Sequence, residues 1–164
     1  MEALRQTDNT QSTKSGPNPG LLRPPIIFLG SILVGVALNR VWPLHFVSPS
    51  VRLIGPLVST CAVVLFLLSY REFRGAGTSV QGSKRTTVIV QTGPYRFSRN
   101  PIYLAFILFG AGLSVWLNNG WLLATLVPAV GVIAMVVIPR EECFLERNFH
   151  EAYVSYKAAV RRWL

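Results

Sequence analysis

The chain has 164 residues, of which 51% are hydrophobic and 14% charged, and it carries a net charge of +9. Soluble domains average about 25% charged residues, and here the apolar residues stand in long blocks with the cations at their borders. That pattern argues against a soluble nucleic-acid protein, whose cations would line a polar face, and for contact with anionic lipid headgroups.

Residues 1–23 hold no apolar stretch and are rich in Ser, Thr, Asn, Gln, Pro and Gly. They read as a disordered polar tail without a cleavable signal, and residues 24–164 as the membrane domain. Four apolar blocks follow, at about 25–41, 53–70, 102–117 and 121–138. A bilayer core needs about 20 apolar residues, and only helices satisfy their own backbone groups in lipid. The expectation is an all-α integral membrane protein with four transmembrane helices, the third at the short end of the range. Only Asn118, Asn119 and Gly120 separate the last two blocks, which predicts a tight antiparallel hairpin. Trp42, Trp116 and Trp121 stand at block ends, where amphipathic rings favour the interface. Gly30, Gly35, Gly110 and Gly112 would let helices approach closely.

The cations orient the bundle. Arg5, Lys14 and Arg23 precede the first block; Arg71, Arg74, Lys84, Arg85, Arg96 and Arg99 lie between the second and third; Arg140, Arg147, Lys157, Arg161 and Arg162 follow the fourth. The first loop has only Arg40 and Arg52, and the hairpin turn has none. Rich and poor segments alternate, as four spans require, so both termini are expected in the cytoplasm. After the fourth block, Leu145, Phe149, Tyr153, Tyr156, Val160 and Trp163 recur every three or four residues. This is the stripe of an amphipathic helix lying on a membrane surface or beneath the bundle.

Two segments carry candidate chemistry. Glu141 and Glu142 stand where the fourth helix leaves the bilayer, a costly place for an ionisable pair. The run Gly93-Pro94-Tyr95-Arg96-Phe97-Ser98-Arg99-Asn100-Pro101-Ile102-Tyr103 contains a Gly-Pro turn and an Asn-Pro helix start, with Asn100 the expected N-cap. The hairpin returns the fourth helix to the end where the third begins, so Asn100 and Glu141 should share one rim. Cys61, Cys143, His45 and His150 form neither a disulfide framework nor a recognisable metal site.

Gly-Pro-Tyr-Arg, Arg-Asn-Pro-Ile-Tyr, an apolar hairpin, Glu-Glu-x-x-Leu and the Phe149, Tyr153, Tyr156 spacing, in that order, resemble the isoprenylcysteine carboxyl methyltransferase family. That family is related to the phospholipid N-methyltransferases. The resemblance covers about residues 71–160 and points to a bacterial-type member. It implies S-adenosyl-L-methionine as cofactor, held at the cytoplasmic mouth of the last hairpin. The matching cofactor positions are Gln81, Thr87, Val88, Ile89, Val90, Tyr95, Asn100, Pro101, Ile102, Tyr103, Glu141 and Glu142. Tyrosine faces would meet the sulfonium cation, the glutamates the amino groups, and the Val88–Val90 backbone the adenine. Arg140 and Arg99 are the candidate catalytic residues, as cations on the same rim. Arg140 is the arginine nearest to the family's substrate-carboxylate position, though in a different register. Asn100 replaces a histidine of the eukaryotic members and cannot take a proton near neutral pH. His150 replaces the glycine of the family's Phe-Gly pair. The implied acceptor is lipid-like or apolar, with a carboxyl, thiol or amine nucleophile. The alternative is a non-catalytic small membrane subunit or a transporter, although a transporter would carry polar residues at mid-membrane.

Overall fold

The computed structural model describes residues 23–75 and 89–164, and all regular structure among them is helical. The elements are α1 (Pro24–Val41), the short α2 (Pro49–Arg52), α3 (Ile54–Gly75), a 3-10 turn (Gly93–Arg96), α4 (Pro101–Leu117), α5 (Gly120–Val132) and α6 (Ile138–Ala159). Proline opens α1, α2 and α4, where the missing N–H has no intrahelical partner to lose. Three of the apolar runs are long enough to cross a membrane. The fourth, α4, has 17 residues and spans about 25 Å, just short of the hydrocarbon thickness.

The helices pack in the order α3, α4, α5, α1. In lipid the hydrophobic effect does not hold apolar helices together, so small residues that admit close contact must do so. Gly112 of α4 lies against α3: a Cβ there would sit 2.5 Å from Ser59 Oγ and 2.9 Å from the Gly55 carbonyl. Gly35 of α1 meets Thr125 and Leu122 of α5 in the same manner, and Gly110 meets Leu126. Gly30 does not belong with them, because nothing lies within 4 Å of its Cβ position.

The bundle has two ends. At the distal end Asn118 turns the chain in the left-handed region (φ 50°), and its Oδ1 accepts from the Phe46 and Val47 amides at 2.9 and 2.8 Å. Asn119 caps α5, and the Trp121 indole donates to the Trp42 carbonyl at 2.7 Å. The α1–α3 loop is thereby tied to the hairpin turn. The proximal end holds the start of α1, the end of α3, the start of α4 and all of α6.

The fourth span and the first part of the C-terminal amphipathic helix, read from sequence as two helices, form one helical run as far as Phe149. A widened π turn, Ile133–Val137, joins α5 to α6. Pro139 lacks the N–H that the Met135 carbonyl would otherwise receive, and a π turn absorbs such a defect without breaking the helix. Ile133, Val137 and Ile138 are fully buried there with Phe28 and Leu126, and Tyr103, Phe106 and Trp163 pack against them. The interruption falls instead at His150 (φ 44°, ψ −123°). Beyond it, Tyr153 and Tyr156 of the predicted stripe are buried.

Candidate active site

The proximal end is assembled on α3. Thr92 Oγ1 donates a hydrogen bond to the Glu72 carboxylate. Gly93 follows at φ +58°, a left-handed conformation that favours glycine, and packs against the Glu72 side chain. The 3-10 turn then buries Tyr95, with its ring 5.7 Å from Phe73. Tyr156 donates from its hydroxyl to the Tyr95 carbonyl at 2.8 Å, which ties α6 to the turn.

The two glutamates diverge. Tyr103 Oη donates to Glu141, lying 2.7 and 2.8 Å from its two oxygens. Glu142 is buried and meets two arginines. Arg162 approaches as a fork, Nε to Oε1 at 3.1 Å and Nη2 to Oε2 at 2.7 Å. Arg99 Nη1 lies 3.1 Å from Oε1. The Arg99 side chain is 9% exposed, and its Nε and Nη1 meet no acceptor in hydrogen-bond geometry. One carboxylate between two guanidinium groups leaves the cluster with a net positive charge.

Asn100 stands at the N-cap position of α4, as expected, but its side chain does not cap the helix. Its Nδ2 donates to the Arg162 carbonyl at 3.0 Å, while Ser98 Oγ accepts from the Asn100 amide at 3.2 Å. The reason is competition: the C-terminal residues cross the helix start and offer an acceptor that a free helix end would lack.

Of the sequence-derived positions, Tyr95, Asn100, Pro101, Ile102, Tyr103, Glu141, Glu142 and Arg99 share this end, with Ile89 and the buried Val90 leading into the turn. Arg140 is exposed at the start of α6. Gln81, Thr87 and Val88 lie outside the described residues. Sequence reading did not single out Ser98, Glu72 or Arg162 as site residues. Arg162 lies 20 positions from the carboxylate it grips, and no local pattern reports such a pairing. Burial, with smaller contributions from Tyr156 and Glu141, holds the Tyr95 hydroxyl well above the usual tyrosine range. That of Tyr156 is pushed up to about 12, again mainly by burial. Both are neutral donors at physiological pH.

A phospholipid methyltransferase family model matches residues 51–152, more than half of the chain. Over 63 residues the chain is 36% identical to a Haemophilus influenzae protein described as uncharacterized, a stretch that covers 38% of this chain and all of that protein. No solved structure matches.

Proposed function

The chain belongs to the phospholipid methyltransferase family, and from that premise we propose that it transfers a methyl group from S-adenosyl-L-methionine to a lipid-like or apolar acceptor in the membrane. The observation that carries this reading is the Tyr103–Glu141 pair beside the buried Tyr95. A carboxylate suits the cofactor's amino group, and tyrosine rings suit its sulfonium, a contact of roughly 0.5–2 kcal/mol. Ile89 and Val90, with Gln81, Thr87 and Val88 before them, would hold the adenine end; Asn100, Pro101 and Ile102 shape the rim. Glu142 is a poor partner for an amino group, because its oxygens receive Arg162 and face Arg99. It holds the arginines instead.

When bound, the cofactor supplies an activated methyl group. What remains for the protein is alignment and exclusion of water. Arg99, which faces Glu142 and keeps a further buried donor at Nε, is suited to an anionic group of the acceptor, and Arg140 to the headgroup region beside it. Tyr95 and Tyr156 stay protonated, so neither serves as a base, and a carboxylate or thiolate acceptor requires none. The apolar helical surface next to the rim supports entry of the acceptor from the bilayer, with the cofactor arriving from the cytosol. On this reading both termini lie in the cytoplasm, and the membrane is a bacterial inner membrane.

The test is calorimetric titration of the detergent-purified protein with S-adenosylhomocysteine. The wild type should bind. Glu141→Gln should lose about 1.5–3 kcal/mol of affinity, the range for a charge-assisted hydrogen bond, while keeping its thermal unfolding profile. An unchanged dissociation constant would remove Glu141 from the site.

A further inference from the structure

After α6 the chain does not run away from the bundle. Val160 is extended (φ −123°, ψ 132°), and the following residues cross the start of α4. The Arg161 carbonyl accepts from the Arg99 amide at 3.0 Å. The Arg162 carbonyl accepts from Asn100 Nδ2 at 3.0 Å and from Ser98 Oγ at 3.4 Å. The Arg162 side chain forks onto Glu142. Trp163 packs against the core that includes Val137 and Ile138, as Tyr103 does. One short segment therefore grips both halves of the candidate site, the turn at 98–100 that launches Tyr103 and the helix turn that carries Glu141.

We propose that Arg162 is a positioning residue and that residues 160–164 are a strap that sets the Tyr103–Glu141 pair. The inference rests on the reading of that pair as the cofactor site. Glu141 and Glu142 are consecutive on α6, so their side chains leave the helix about 100° apart. Holding Glu142 in a two-point fork fixes the rotation of that helical turn, and the rotation aims Glu141 at Tyr103. The carbonyl of the same residue fixes the other partner, since Asn100 immediately precedes the first turn of α4. The fork also acts electrostatically. It neutralises Glu142, so that a cationic ligand meets one carboxylate in a fixed place and not two in competition. Lysine could supply the charge but not the planar, two-point geometry.

Arg162→Ala and Arg162→Lys are compared with wild type by titration with S-adenosylhomocysteine and by thermal unfolding of the ligand-free protein. Alanine should raise the dissociation constant about tenfold, the lower range for loss of a group that orients a direct ligand contact. Lysine should recover only part of that loss. The Arg162 side chain is 40% exposed but its partner Glu142 is buried and keeps Arg99, so the unfolding midpoint should fall measurably without loss of the fold. An alanine variant that binds as tightly as wild type overturns the strap and leaves the cofactor reading intact. A wild type that does not bind overturns the cofactor reading; a ligand-free unfolding cycle of Arg162→Ala against Tyr103→Phe then decides the strap alone. Non-additive shifts between these two residues, which share no hydrogen bond, support positioning, and additive shifts refute it. If Arg162→Ala does not fold, Arg162→Lys carries both measurements.

Discussion

His150 occupies φ 44° and ψ −123° within α6, a region that side-chain-bearing residues rarely enter and that glycine enters freely. The backbone there takes a shape that suits glycine, the residue that the Phe-Gly pair of the family resembled would supply. Strain of this kind costs roughly 1–3 kcal/mol, and glycine returns about 0.5–1 kcal/mol of that as lost chain freedom. His150→Gly should therefore stabilise the protein by about 1 kcal/mol, seen as a raised midpoint of thermal unfolding in detergent. A lowered midpoint would mean that the imidazole makes a contact worth more than the strain. The acidic pair shows where residue-level reading ends. In sequence Glu141 and Glu142 are equivalent; in the fold one meets a tyrosine and the other two arginines. That difference comes from helix rotation and from a partner 20 residues away, and neither leaves a local signal.

At the level of elements, the spans and the hairpin were legible because block length and the Asn-Asn-Gly turn report directly on backbone demands. The crossing of α3 and α4 was only half legible. Gly112 was singled out from sequence as a contact residue, whereas Gly55, near the start of its apolar block and followed by Pro56, was not. Yet a Cβ on Gly55 would lie 2.4 Å from the Trp116 amide. The two glycines are one device, a backbone-to-backbone contact that also carries the Ser59 amide, 2.8 Å from the Cβ position of Gly112. Gly112→Ala should force the helices apart and cost about 1–3 kcal/mol, as overpacking does. Gly30→Ala is the matched control. Its Cβ meets open space, so alanine should be neutral, or stabilise by up to about 1 kcal/mol through helix propensity. Equal unfolding midpoints for the two variants would show that the crossing tolerates separation. The π turn was not legible: Pro139 announces a lost hydrogen bond, but whether the helix breaks, kinks or widens depends on the packing of Ile133 and Val137.

For the molecule as a whole, the sorting of cations between its two ends is the largest asymmetry. Arg40 borders the distal loop, and Arg52 in that loop donates from Nε to the Trp116 carbonyl at 3.3 Å. Arg23, Arg71, Arg74, Arg96, Arg99, Arg140, Arg147, Lys157, Arg161 and Arg162 all stand at the proximal end or beyond it. Cations within 15–20 residues of a span resist translocation, and their distribution sets orientation. The proximal end should thus face the cytoplasm. Reporter fusions after Leu44 and after Asn119 should read as external, and fusions after Ser83 and after Leu164 as internal. The consequence reaches the chemistry. Tyr95, Tyr103 and Glu141 all lie at the proximal end, and S-adenosyl-L-methionine is a charged cytosolic molecule that does not cross a bilayer unaided. An external signal at Ser83 or Leu164 would put these residues where the cofactor is absent. That would sink the cofactor site while leaving the fold and the family as they are. Internal signals at both positions would bring the net positive cluster of Arg99, Arg162 and Glu142 to the leaflet surface, where anionic headgroups gather and a lipid-borne acceptor would approach the rim.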